Sequence, residues 1–460
     1  MEKTAPSAHT APHDTVSSQD VEVALRRVDG LVLLPLVFMF VFLQFDRTNL
    51  GNALTDTLRK DAHLTQADIN LGQTLFTLGI VLWELPSNVI IKRVGAHRWL
   101  PLLMFCWGTV TWSQTFITSR RGFLTTRFLL ATFEAGFIPG AAFYLGQFVT
   151  RRELAFRYAL LWAANSVAGA LGGVLALGLL SLSGKHGVHG WQYLFAIEGA
   201  LTCFVAVLMA LHLPQSPIDA SKRHRVMGSR WTILKPDQGA MLQRRAMQDD
   251  PSKKNNLRRV TIRDFDILLD HRIYGHLVMA FLSSVMFSPI NTYAPSIIKA
   301  LGYRGYSANG MNAVGSACNL LVALPLAYFS DRTRHRGLFV LTGFIISAVG
   351  LLWLALPPNT VSRGILYAGV IVTEAGMGSV QGINAAWLSE NVQERQRPIV
   401  LGCYVMSIQL ASFVGANLFK AADAPRYTHG LLVCAGCTFG AAAVSIIWTV
   451  LYKAGSRSDA

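Results

Sequence analysis

Phe123-Leu-Thr-Thr-Arg127-Phe-Leu-Leu-Ala-Thr-Phe-Glu134-Ala-Gly-Phe-Ile-Pro-Gly-Ala-Ala-Phe-Tyr-Leu-Gly-Gln-Phe148 is an apolar run broken by one arginine and one glutamate. Its length suits a helix crossing a hydrocarbon layer, which takes about 20 residues. Arg127 and Glu134 stand two helical turns apart, so they share a face at a separation of about 10 Å. Charges at that depth cost at least a few kcal/mol each and normally face a cavity or a partner. A second pair, Asp46-Arg47, ends the apolar run 31–45. Two acids and two arginines in an otherwise oily half of the chain have the chemistry of a site for an anion plus a proton.

The surroundings of that run repeat its character. The chain has 460 residues, 52% hydrophobic and 15% charged, where a soluble protein carries about a quarter charged residues. Repeated apolar stretches near 20 residues indicate an all-α polytopic membrane protein. Twelve transmembrane helices are expected, at 29–52, 68–91, 99–117, 122–148, 156–182, 191–212, 274–297, 308–329, 337–356, 364–388, 398–419 and 430–452. The polar segment 214–273 divides them into two six-helix halves, 28–213 and 274–452. Residues 1–27, rich in Ser, Thr, Pro, Ala and His, are expected to be a disordered tail, and 453–460 a second short tail.

The net charge of +15 is explained by where it falls. With the N-terminus inside, 29 of the 41 lysines and arginines lie in the tails, the central segment and the loops on that side, and 11 on the other. The bias places both termini and the central segment in the cytoplasm, against inner-leaflet lipid, with no need for nucleic acid. The six cysteines all fall in apolar runs, and Cys434-Ala-Gly-Cys437 has no second Cys or His pair to complete a metal site. No nucleophile–base pair, metal cluster or nucleotide loop is present, so neither an enzyme nor a cofactor is expected. The start lacks the charged-then-apolar pattern of a cleaved secretion peptide. Lys92-Arg-Val-Gly-Ala-His-Arg98 after the second span and Asp331-Arg-Thr-Arg-His-Arg-Gly337 after the eighth read as a weak internal repeat, as in transporters built from duplicated halves.

Several motifs together resemble the major facilitator superfamily, and within it the anion:cation symporter family, the fungal allantoate and nicotinate permease-like branch. They are Asp46-Arg-Thr-Asn-Leu-Gly-Asn-Ala53, Glu84-Leu-Pro-Ser-Asn88 with Lys92-Arg-Val-Gly95, and Arg127 through Gly140. Gly190-Trp-Gln-Tyr-Leu-Phe-Ala-Ile-Glu-Gly199, Ser330-Asp-Arg-Thr333 and Asn384-Ala-Ala-Trp387 extend the match over about residues 30 to 452. The resemblance implies the major facilitator fold, alternating access, a monomer, a plasma-membrane address with the vacuole as alternative, and proton coupling. The family's Asp-Arg pair on the first helix and Arg/Glu pair on the fourth correspond here to Asp46, Arg47, Arg127 and Glu134. Two departures stand out: segment 214–273 lacks the clear acidic helix that usually follows the sixth span, and Asn391-Val-Gln-Glu-Arg395 replaces the usual small residues.

The expected site follows. Arg127, with Arg47, would bind a substrate carboxylate by charge-assisted bonds; the alternative is a structural ion pair of Arg127 with Glu134 or Asp46. Glu134 is the expected proton carrier and Asp46 a second proton site, because anion and acid compete for the same arginine. Glu84, Glu198 and Glu374 are further intramembrane acids. Asn291, Tyr293, Asn384 and Gln409 are expected substrate contacts of the second half, alongside Asn319, although such residues often only join helices. Asp331 and Arg332 read as a cytoplasmic gate. Ala168-Gly-Ala-Leu-Gly-Gly173 reads as close helix packing, not a phosphate loop. The function these calls add up to is proton-coupled uptake of a small organic anion, a carboxylate vitamin, ureide or sugar acid. Export of an anionic metabolite is the alternative within transport. A nutrient sensor on the same fold would carry a large extra cytoplasmic domain, which tails and a central segment of this size do not supply.

Overall fold

The computed structural model describes residues 18–222, 234–249, 266–267, 270–356, 361–392, 396–424 and 426–458. Its regular structure is helical throughout. The first half comprises α1 (Ser18–Val28), α2 (Leu34–Ala53), the short α3 (Leu58–Asp61), α4 (Gln66–Val94), α5 (Ala96–Ser113), α6 (Arg120–Glu134), α7 (Phe137–Leu145), α8 (Arg151–Leu180) and α9 (Gly190–His212). The central segment holds α10 (Pro236–Asp249). The second half comprises α11 (His271–Ser284), α12 (Phe287–Ala300), α13 (Gly305–Thr333), α14 (Arg336–Ala355), α15 (Arg363–Glu390), α16 (Arg397–Gly415) and α17 (Thr428–Ser458).

Among the described residues eight helical stretches are long and apolar enough to cross a membrane, and Val167–Leu180 and Val400–Gly415 are shorter apolar helices. With α5 and α15 in the third and tenth places, the arrangement is compatible with twelve spans. Large apolar side chains such as Leu85, Leu321 and Phe204 point outward, as a hydrocarbon surrounding requires, while each helix satisfies its own backbone.

Two expected spans are broken. The run 122–148 divides into α6 and α7 at Ala135-Gly136, and 274–297 into α11 and α12 at Val285-Met286. Pro139 and Pro289 each stand four residues after a break, at Ala135 and Val285. A proline ring clashes with the carbonyl four residues earlier and cannot donate to it. Proline alone does not decide the matter, because Pro86, Pro101, Pro295 and Pro325 lie inside continuous helices. At the first break Gly136 takes φ +81°, a left-handed conformation that glycine adopts freely. At the second, Gly415 of α16 comes so close to the Val285 carbonyl that a Cβ there would lie 2.2 Å from the oxygen.

The tail expected at 1–27 needs correction where it is described: Ser18–Val28 is helical and runs on through a π-helical turn, Asp29–Leu33, into α2. Ala24 and Val28 bury against Leu234 and Leu242 of the central segment, an apolar stripe that composition alone hid. Residues 1–17, and Gln393 to Arg395 of the polar run noted above, lie outside the described residues. Arg27 donates to Gln238 at 3.1 Å and Arg245 to Glu153 at 2.9 Å, so α10 docks on the first half. Burial pushes the Glu153 carboxyl up, but the Thr150 amide and hydroxyl and Arg245 outweigh it and hold the group below its ordinary value. This end of the bundle is called the tail face below.

The halves meet at the other end. Leu50, Ala53 and Trp191 of the first half share one buried cluster with Met286, Ile290, Tyr293 and Phe419 of the second. Gly173 of α8 approaches the Asn309 carbonyl of α13, with a prospective Cβ at 2.7 Å, and Gly169 approaches Ser316 at 2.8 Å. The glycine-rich run 168–173 is therefore a close-packed seam between halves.

Candidate functional site

Arg47 leaves α2 and donates Nε to the Glu134 Oε2 at 2.6 Å. The Glu134 side chain is fully buried, whereas that of Arg47 is 26% exposed. Arg127, one face of α6 away, is 2% exposed. Its Nη2 donates to the amide oxygen of Gln73 on α4 at 2.8 Å, and its Nε has no hydrogen-bond partner. The Phe76 ring, one turn further along α4, lies under both guanidinium groups, 4.6 Å from Arg127 and 5.7 Å from Arg47. Such a face is attractive to a cation without neutralising it. The direct ion pairs of Arg127 with Glu134 or Asp46 that the sequence left open are not formed; Arg47 takes Glu134 instead.

Asp46 precedes Arg47 on α2 and turns towards α5. It is 1% exposed and makes no ion pair among the described residues; Trp107 Nε1 and Thr111 Oγ1 on α5 are the donors turned towards it. Glu134 and Glu198 are the other acids within its electrostatic reach. Glu198 of α9 accepts from the Asn49 side-chain amide and leaves its second oxygen unpaired. Around α2 there are thus three acids and two arginines, and Glu84 of α4 is a fourth acid within electrostatic reach of Arg47.

Among the described residues no hydrogen bond joins Asn291, Tyr293, Asn384 and Gln409 to one another. Asn291 is exposed. Tyr293 is buried and donates to Asn70 at 2.5 Å, within an aromatic group that includes the stacked Phe419 and Tyr427, ring centroids 4.7 Å apart. Asn384 joins helices: its Oδ1 lies 2.7 Å from His276 Nδ1 and its amide donates to the His276 carbonyl. Gln409 is half-buried on α16. Asn319 donates to the Glu374 carbonyl at 2.6 Å. Asp331 pairs with Arg336 at 2.8 Å, and Arg336 also grips Glu390 with two bonds of 2.7 Å, while Arg332 donates to the Tyr328 hydroxyl. The expected gate pair is thus split, and Arg336 and Glu390 are the stronger couple within the second half.

A polar stripe on α4 went unread. Asn70, Gln73 and Thr74 occur at helical spacing, and each connects the halves: Asn70 to the Phe419 carbonyl at 3.0 Å, Gln73 to Thr292 at 2.6 Å, and Thr74 from Asn417 at 3.1 Å. Gln73 holds Arg127 with its oxygen and Thr292 with its nitrogen, so it links the buried arginine to the opposing half. Lys299 reaches the Thr55 carbonyl at 2.5 Å and Asn309 its hydroxyl at 2.8 Å. All these bonds lie away from the tail face.

A family model described as Major Facilitator Superfamily matches residues 36–416. An uncharacterized transporter of Saccharomyces cerevisiae is 29% identical over 440 residues, 93% of this chain and 79% of its own. The MFS-type transporter cnsO of Penicillium expansum is 28% identical over 445 residues, 94% and 84%. Among solved structures, a D-xylose-proton symporter superposes with TM-score 0.68 at 17% identity, over 90% of this chain and 97% of that one. A bacterial homolog of the human lysosomal transporter Spinster, inward-facing and unoccupied, gives 0.64 at 14%, over 96% and 98%.

Proposed function

The chain belongs to the Major Facilitator Superfamily, a family of membrane transporters and not of enzymes, and from that premise we propose that it carries a small organic anion together with protons. Its place in the anion:cation symporter family, and a carboxylate vitamin, ureide or sugar acid as cargo, belong to the same reading. So do a monomer in the plasma membrane and termini in the cytoplasm. The observation that carries it is Arg127: a buried guanidinium that makes no ion pair among the described residues and has one nitrogen unpaired. A carboxylate is the group that completes it, with a bidentate bond in place of the neutral Gln73 contact.

Charge balance supports the proton. Around α2 the acids Asp46, Glu134 and Glu198, with Glu84 of α4 in reach of Arg47, face two arginines, Arg47 and Arg127, so the empty site balances when two of the four acids are protonated. Each monovalent anion that enters brings one more negative charge into a low-dielectric space. One further proton restores neutrality, and unneutralised charge there is costly. Asp46, which makes no ion pair among the described residues, and Glu134, which lies within reach of both arginines, are the groups to take it. Alternating access then exposes the loaded site towards either face, and the bonds closing the face opposite the tails correspond to its cytoplasm-facing phase.

The test is thermal stabilisation of the purified protein by a panel of organic acids at pH 5.5 and 7.5, since a ligand bound only by the native state raises apparent stability. A carboxylate should stabilise the wild type, more at pH 5.5, and should fail with Arg127→Ala. Arg127→Lys should bind weakly, because a point charge replaces a planar fork. Stabilisation by neutral compounds alone, or by a carboxylate unaffected by Arg127→Ala, overturns the reading.

A further inference from the structure

Glu374 is a buried acid outside the cluster around α2. It lies on α15 where that helix meets α13, is 8% exposed, and has an Oε2 with no hydrogen-bond partner. Gly315 of α13 stands directly against it, so close that a Cβ would fall 2.1 Å from that oxygen. One turn along α13, Asn319 spends its amide on the Glu374 backbone carbonyl. One turn along α15, Gly378 makes room for the Asn319 side chain, which a Cβ would meet at 2.4 Å. The carboxyl is thus a knob set into a glycine hole.

The groups around it bring no counter-charge. On its own helix Tyr367 is an electrostatic neighbour, and its hydroxyl is spent on the Met311 carbonyl at 2.8 Å. Cys318 of α13 and Tyr303 adjoin Tyr367. From α14 the contacts beside it are Ser347 at Gly376 and Gly350 at Thr373. No lysine, arginine or histidine acts on Glu374 among the described residues. A neutral carboxyl fits this contact, whereas a carboxylate would set an uncompensated charge on Oε2 against Gly315.

The other side of α13 is the seam between halves. Ser316, adjacent to Gly315, faces Gly169 of α8, and Asn309 and Ala313 face Gly173. A close-packed interface moves between discrete fits and does not deform smoothly. A change on the Glu374 side of α13 is therefore carried to the seam by the helix itself.

We propose that Glu374 is a second proton-binding group, separate from the acids around α2, whose neutral form holds α13 against α15 and favours the present arrangement of the halves. Losing its proton would loosen that contact and release α13 at the seam. The inference rests on the transporter fold and not on the identity of the cargo, so its test uses no substrate.

Spin labels placed at Ser181→Cys and Arg304→Cys, exposed ends of α8 and α13 on opposite halves, report the gap across the seam. The full chain, its native cysteines replaced, is measured in lipid nanodiscs at pH 5.5 and 8.5. In the wild-type background the longer-distance population should grow several-fold at pH 8.5. Glu374→Gln, which mimics the neutral acid, should remove most of that growth, and the pair Asp46→Asn with Glu134→Gln should keep it. Gly315→Ala, which intrudes on the carboxyl, should populate the longer distance at both pH values, and it answers the question if Glu374→Gln fails to fold. A pH response absent from the wild-type background, undiminished in Glu374→Gln, or abolished by the paired variant overturns the proposal. So does a Gly315→Ala distance that stays short at both pH values.

Discussion

Asp46 and Arg47 are consecutive, yet their surroundings differ in what a substitution would cost. Arg47 has its carboxylate in Glu134, so Glu134→Ala strands a mostly buried guanidinium. Breaking a fully buried pair costs about 3–5 kcal/mol; with Arg47 part-exposed, a loss on the order of 2 kcal/mol is expected. Asp46 has no ion-pair partner to strand among the described residues, and an asparagine keeps an oxygen for the Trp107 and Thr111 donors, so Asp46→Asn should leave stability within about 1 kcal/mol of wild type while reducing the acid dependence of carboxylate binding. Denaturant midpoints in detergent, read beside the organic-acid panel, separate the two. A Glu134→Ala variant as stable as wild type would show that the Arg47 bond is dispensable. The four charged residues were legible because ionisable groups are rare on apolar helices. Their pairing was not, since it depends on how α2, α4 and α6 come together. Gln73 gave no signal, because a neutral amide on such a helix is common.

The helix breaks show the same division one level up. Apolar length finds a span, and it does not say whether the span is one helix. At 135–136 the break needs both Pro139, which releases a carbonyl, and a residue that tolerates φ +81°. A Cβ on Gly136 would also lie 2.3 Å from Ser87 Oγ. Gly136→Ala should therefore cost about 1–3 kcal/mol from backbone strain alone, with the Ser87 clash added. Gly178, inside α8 with nothing near its Cβ position, supplies the control: Gly178→Ala should stabilise by about 0.5–1 kcal/mol through helix propensity. Opposite shifts in melting temperature are the expected pair of results. A stabilised Gly136→Ala would mean that the break is not fixed by that glycine. The run 168–173 was legible as close packing, but its partner helix, α13, was not, because single-chain composition does not say which helices face each other.

At the scale of the molecule, hydropathy and the central segment 214–273 were enough to expect two helical halves. The conformation was out of reach, because it is decided by a few polar contacts between residues more than 200 positions apart. Thr55 shows how it is held. Its carbonyl takes Lys299 and its hydroxyl takes Asn309, both from the second half, while its own hydroxyl donates back to Asn52. A net hydrogen bond contributes about 1 kcal/mol, more when one partner is charged. Lys299→Ala with Asn309→Ala should therefore weaken closure of this face by roughly 2 kcal/mol, a shift of about 30-fold between the two arrangements. Amide hydrogen exchange over residues 52–62 reads the shift directly, since opening exposes that segment, with α10 docked on the first half as an internal reference that should not change. Faster exchange confined to 52–62 fits a gate held by Thr55. Equal acceleration in both regions would instead mean that the first half itself had loosened, and unchanged exchange would leave closure to Asn70, which takes the Tyr293 hydroxyl and donates to the Phe419 carbonyl without using Thr55.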